Sequence, residues 1–529
     1  MNIRETFATP RRLIPCAGVA ALLAIGIWYL ACMHHPTVGT CEAAQRPPRL
    51  HPDYTGLVIP PNIAPLNFDV EEDGSWYCAR ISSPSGDSFE VFSRTRGIVI
   101  PARPWRKLLA ANRGGEVYLD MCTRDKAGRW TRFQRVVNRI AGEDVDTILA
   151  YRRIHPAHNL WKKMGIYQRD LSSFEETPVM LNEEFQGGCC HCHAFRNNHT
   201  DTLSISARSG VYGTDTLVIE NGAIRKLGIK LGFAAWHPSG RIAACTVNDP
   251  KLLLDAGANE IRDIVEMDSA ILYWHADSGT MKRCPDLGRK DWLETWPAWS
   301  PDGRYLYFCR APLLWTDRKK VPPDRSAEIR YDLVRIRYEA EDDRWGEVEP
   351  VLSAKETGLS IGQPRVSPDG RWLSFVMFDH GCWPIYHPES DVYLMDLEAE
   401  KGKERHAYRR MEVSSDQCDS WVAWSSNSRW IVVGSARDNI LFNRPYLAYV
   451  QGNGTTSKPF IIPQPDPAYY DSCLDSFTMP ELLVEPVRVP RRDLAKAVRA
   501  PGRIPVKTVD GVTTATPAHP GVTRKEPGL

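Results

Sequence analysis

Four segments of this chain repeat one short pattern, and that repetition restricts the possible folds more than any other feature. The copies begin Ala235-Trp236-His237-Pro238-Ser239-Gly240-Arg241, Ala298-Trp299-Ser300-Pro301-Asp302-Gly303-Arg304, Arg365-Val366-Ser367-Pro368-Asp369-Gly370-Arg371 and Ala423-Trp424-Ser425-Ser426-Asn427-Ser428-Arg429. Each runs on into an alternating apolar stretch, such as Tyr305-Leu306-Tyr307-Phe308 or Trp372-Leu373-Ser374-Phe375. Proline fixes φ at entry to a turn, Asp-Gly tolerates positive φ within it, and alternation marks a half-buried strand, so each copy reads as one β-hairpin. Second strand pairs lie between the copies, around 270–274, 331–336, 391–396 and 446–450. Two hairpins make a four-stranded unit, and stacked units of this kind bury their edges best by closing into a ring. The turns recur at roughly 60 residues, beyond the roughly 40–50 of a common propeller blade, which implies long insertions such as 311–330. A divergent unit at 203–227 adds a further blade. The expected fold is mostly β, with a β-propeller of about five to six blades over 201–485.

At 529 residues the chain exceeds one ordinary core. Its 17 Trp, 37 Gly and 40 Pro suit a folded, turn-rich chain. Arg4, Arg11 and Arg12 precede an uncharged run from Leu13 to Met33. That run is long enough for a transmembrane helix within 1–35, and the basic residues before it place the N-terminus in the cytoplasm. The expectation is a single-pass inner-membrane protein with a periplasmic domain, or a periplasmic one if the segment is cleaved as a signal peptide. Residues 36–65, rich in Pro, read as an extended linker, and 66–160 as a small Ig-like β-sandwich with a helix near 103–112. Residues 161–200 read as a connector, and 486–529 as a disordered tail. With 66 basic and 65 acidic residues there is no field to recruit nucleic acid.

Chemistry concentrates in Cys189-Cys190-His191-Cys192-His193. Cys-x-x-Cys-His is the spacing by which two thiols form thioethers to a haem while the next residue offers its imidazole to the iron. On that reading Cys189 and Cys192 attach one haem c, and His193 is the proximal iron ligand. His199 is a candidate distal ligand, with Met377, Met395 and Met479 as alternatives. A zinc site among these five residues, a disulfide or inert thiols are competing readings. Asp379 near His380, and Asp471 with Asp475, are acidic candidates for a funnel, equally explained as turn caps. No Gly-x-Ser-x-Gly elbow, phosphate loop or His-Glu-x-x-His sequence occurs. Nothing in these motifs argues for an enzyme.

Together with Ile59-Pro60-Pro61-Asn62-Ile63-Ala64-Pro65-Leu66-Asn67-Phe68, Gly165-Ile166-Tyr167-Gln168-Arg169, Arg444-Pro445-Tyr446 and Tyr470-Asp471-Ser472, these features resemble TolB-like, WD40-like propeller proteins that carry a Cys-x-x-Cys-His sequence. The resemblance covers roughly 59–481. It implies an exported protein with an N-terminal sandwich, a covalent haem and a propeller. It also implies a Met and a His soon after the haem sequence, whereas Ala194 to Thr200 runs differently. The expected role is electron transfer or redox sensing with an unknown redox partner. The alternative is a periplasmic scaffold that binds a protein, peptide or glycan, its Cys/His cluster being structural or zinc-binding.

Overall fold

The computed structural model describes residues 35–155, 164–186, 188–255, 260–317, 319–399, 407–504 and 506–508. The expected membrane segment lies almost wholly outside them. Among the described residues no helix is long and apolar enough to cross a membrane.

Six sheets form the propeller, each with an innermost strand on the axis and three successive antiparallel strands leading outward. Blade 1 is assembled from two distant stretches. The chain supplies Ile148–Ile154, Gly165–Asp170 and Glu176–Leu181 early, and Ser476–Leu483 adds the inner strand at the end. Blade 2 runs Gly188–Arg196, His199–Ser209, Gly213–Glu220 and Ala223–Leu227. Blades 3 to 6 start at the inner strands Ala234–Trp236, Trp292–Trp299, Ser360–Val366 and Asp419–Trp424, which carry or lead into the four repeats. Each inner strand touches the next, and that of blade 6 touches Ser476–Leu483, so the ring is closed. Closure joins early and late chain in one sheet and leaves no free edge between blades.

The repeated turn is held the same way in blades 4, 5 and 6. In blade 4, Asp302 Oδ1 accepts from Ser300 Oγ at 2.6 Å and from Arg304 N at 3.0 Å, while Ser300 Oγ accepts from Tyr305 N at 2.9 Å. Ser367 and Asp369 repeat this set in blade 5. The Asn427 amide oxygen replaces the aspartate in blade 6.

Several sequence boundaries move. The expected linker is part of the N-terminal domain: Cys41–Ala43 and Val58–Ile59 join its seven-stranded sheet, Leu50–His51 joins its three-stranded one, and Tyr54, Leu57 and Ile63 are buried in the shared core. Apolar residues between the prolines drive that burial. Two parallel pairings, 41–43 with 130–132 and 139–140 with 58–59, depart from the antiparallel Ig pattern expected. The helix Ala102–Ala111 covers this core with Trp105, Leu108 and Leu109. The expected connector belongs to two blades, since 165–170, 176–181 and 188–196 are all strands. The first part of the expected tail is also ordered. Helix Arg491–Arg499 turns Leu494 and Val498 into the core of blade 2, and Lys507–Thr508 adds a parallel strand to Thr280–Lys282. Residues 509–529 lie outside the described residues.

Candidate functional site

The inner strands run in one direction, so their start points and the loops between second and third strands share one face of the ring. The turns just described occupy the other. In five blades the inner strand bulges at one equivalent place, two residues opposing one on the neighbouring strand: His191-Cys192, Trp296-Pro297, Gln363-Pro364, Trp421-Val422 and Met479-Pro480. Trp296, Gln363, Trp421 and Met479 take φ of 57°, 52°, 55° and 52° there. The bulge re-aims side chains toward the axis, and a positive φ at a Trp is tolerated only where surrounding packing holds it.

The axis is consequently filled. Trp296 stacks on Phe233 with centroids 3.7 Å apart, and Trp383 and Trp421 close around the pair. The Trp296 indole donates to the Cys382 carbonyl at 2.9 Å, and Trp421 N donates to Gln363 Oε1 at 2.7 Å. What remains is a cavity of about 30 Å³ bordered by His193, Phe233, Trp296, Gln363, Trp421 and Met479, room for about one water molecule. Toward the loop face Glu266 is buried, accepting from Asn248 at 2.8 Å and Trp383 at 3.3 Å. Burial pushes its carboxyl up to about 7.

The Cys/His segment forms part of this wall. Cys190 points into the core of blade 2, its thiol against Asn182 Oδ1 at 3.2 Å, and burial pushes it up to about 12. Cys192 packs against the aromatic cluster, and burial raises its pKa too. His191 Nδ1 lies 3.3 Å from the Cys192 sulfur, and burial holds this imidazole well below its ordinary value. Cys189 receives the Arg152 guanidinium at 3.5 Å. His193 is 3% exposed, Nε2 lies 2.9 Å from the Met479 carbonyl, and burial lowers its pKa to about 4.

That packed strand leaves little space for a porphyrin beside His193. Residues i, i+3 and i+4 share a face on a helix, but along a strand successive side chains alternate faces. Here the bulge at His191-Cys192 interrupts that alternation, Arg152 lies near both Cys189 and Cys192, the His193 Nε2 is engaged by a backbone carbonyl, and the adjoining cavity holds about one water. His199 stands beyond the turn at Asn197-Asn198, half exposed and 3.8 Å from Glu485. Met377 and Met395 fill the core of blade 5, while Met479 borders the cavity. Among the described residues the five do not gather as metal donors, and every cysteine is a free thiol. Of the acidic candidates, Asp471 pairs with His51 and Asp475 with Arg153, whereas Asp379 contacts both Arg330 and His380.

Sequence reasoning missed the loop face. Val211, Leu252, Val321, Ile440, Leu441 and Leu474 are all exposed, and every one lies on a loop or hairpin of that face. Individually each is an unremarkable surface residue. Only the ring places them on one side.

The fold is thus a six-bladed β-propeller, its ring closed by the late strand Ser476–Leu483 and preceded by a β-sandwich. Among solved structures it is similar to TolB from Acinetobacter baumannii, at 13% identity over 72% of this chain and 85% of that one, with a TM-score of 0.40. It is also similar to prolyl oligopeptidase B from Galerina marginata, at 9% identity over 65% of this chain but 42% of that one, TM-score 0.35. A third is an oligogalacturonate lyase from Vibrio parahaemolyticus, at 11% identity over 64% and 87%, TM-score 0.32. These similarities concern the fold alone. No protein-family model and no curated protein matches the chain.

Proposed function

We propose that this protein is an exported binding propeller whose loop face holds an apolar segment of a partner polypeptide, with Cys189–His193 serving as a wall of the ring. The observation that carries this reading is the common placement of Ile440, Leu441, Leu474, Val211, Leu252 and Val321. Apolar side chains left together in water mark protein association, and Ile440 and Leu441 stand side by side on this face. Their aliphatic character favours a polypeptide over a glycan, which takes flat aromatic platforms and hydrogen-bonding groups. The aromatic plug directs binding to the loops by filling the axis. The basic residues ahead of the apolar run at 13–33 support a location beyond the inner membrane, anchored or released.

Selection of displayed random peptides on the purified full chain tests this reading. The expected result is enrichment of sequences with aliphatic or aromatic anchors, whose binding falls at least tenfold in the double variant Ile440→Asp, Leu441→Asp. No enrichment, or binding indifferent to the double variant and to Leu474→Asp, contradicts it.

A further inference from the structure

The long hairpin of blade 3, Ile242–Asp255 and Glu260–His275, rises from the loop face and meets the loop 379–390 of blade 5. At the meeting point stand Asp263, His380 and His387. Their donor atoms all lie within 4.8 Å of one another. His387 Nε2 is 3.9 Å from Asp263 Oδ1, and His380 Nε2 is 3.9 Å from Asp263 Oδ2.

Two further features separate this trio from a chance cluster. His387 is more than nine-tenths buried, and its Nε2, which faces Asp263, has no hydrogen-bond partner. A buried unpaired ring nitrogen is costly unless something occupies the space before it. Each histidine also has its other nitrogen against a carboxylate of its own loop: His380 Nδ1 is 3.0 Å from Asp379, and His387 Nδ1 is 3.1 Å from Glu389. A carboxylate that accepts from Nδ1–H fixes the tautomer in which Nε2 presents a lone pair. Both lone pairs then converge on the Asp263 carboxylate.

We propose that Asp263, His380 and His387 bind one divalent transition-metal ion of the zinc class. Two imidazoles and a carboxylate suit such an ion better than calcium or magnesium, which take oxygen ligands. Tetrahedral ligands about 2.0–2.1 Å from zinc stand about 3.3 Å apart, so the three donors, all within 4.8 Å of one another, need to close by at most about 1.5 Å. The fourth position is left for water or a partner's donor, and His380 and Asp263 are each about a quarter exposed, which gives the ion a way in. Bound metal clasps blade 3 to blade 5 across the plugged axis. This inference does not depend on the apolar loop residues.

The test uses the full chain, stripped with a chelator and titrated with Zn²⁺ against a chromophoric competitor, with Co²⁺ absorption as a second readout. Wild type is expected to bind one equivalent, with cobalt bands of a site containing nitrogen and oxygen ligands. His387→Ala and His380→Ala are expected to abolish that equivalent, and Glu389→Gln to weaken it roughly 10- to 100-fold, as loss of an orienting carboxylate does. Cys189→Ser and Cys192→Ser are expected to leave it unchanged. Circular dichroism of each stripped variant separates lost binding from lost folding, and His380→Gln provides a conservative substitute if the alanine variant unfolds. No binding by wild type, or binding that survives the histidine variants, overturns the proposal. Sulfur-to-cobalt absorption lost with the cysteine variants also overturns it.

Discussion

The His193 imidazole sits among apolar side chains at the wall of the axis, where a positive charge has little solvation, so it stays neutral until the pH approaches about 4. In the unfolded chain the same ring takes up a proton below about 6.5. Protonation therefore favours the unfolded state between those values. The stability His193 contributes is complete above about pH 6.5 and is lost as pH falls toward 4, by roughly 3 kcal/mol. Urea unfolding of wild type and His193→Gln across pH 7.5 to 4 measures the difference: wild type is expected to lose roughly that much more stability than the variant. Parallel profiles would mean that His193 is solvated in the folded protein.

At the scale of the elements, the irregular fourth repeat is explained by its neighbour. The other three copies place Pro where blade 6 has Ser426, and that serine donates from its N–H to Asp146 at 2.7 Å and from its hydroxyl at 2.6 Å. Proline has no N–H to give. Nearby, Trp430 donates to the Glu143 carbonyl at 3.2 Å and Tyr449 to its carboxylate at 2.9 Å, so this turn docks the segment that leads from the sandwich into blade 1. Ser428, at φ 58°, replaces the glycine. Restoring the repeat with Ser426→Pro is expected to destabilise the protein by roughly 1–3 kcal/mol, because the buried Asp146 loses both donors. A denaturation midpoint that stays level or rises would count against this docking role.

These turns also explain what could be read from the chain. Pro-Asp-Gly and its relatives carry their geometry locally, so the inner hairpins of blades 3 to 6 were legible. Blade 2 turns instead through Asn197 and Asn198, at φ of 49° and 64°, a signal masked by the cysteines and histidines just before it. Blade 1 draws its inner strand from nearly 300 residues downstream of its other three, a pairing no local pattern encodes. For the same reason Asp263, His380 and His387 are spread too widely in sequence to be read as one cluster. Asp379 and His380 stand out as sequence neighbours, but the hairpin that supplies the third donor lies more than 100 residues before them.

Across the whole molecule, closure of the ring fixes where the Cys/His segment sits. Once Ser476–Leu483 completes blade 1, Gly188–Arg196 is held between it and blade 3, His193 bonds to Met479 of the closing strand, and the axis is packed with Trp296, Phe233 and Trp421. The most direct measurement is the intact mass of the chain exported from cells that carry the haem-attachment machinery, after full alkylation in denaturant without reductant. The expected mass is the bare chain plus one alkyl group on every cysteine it contains. A chain heavier by one porphyrin and short of two alkyl groups, with peptide mapping placing the loss at Cys189 and Cys192, would contradict a purely structural segment and return the electron-transfer reading.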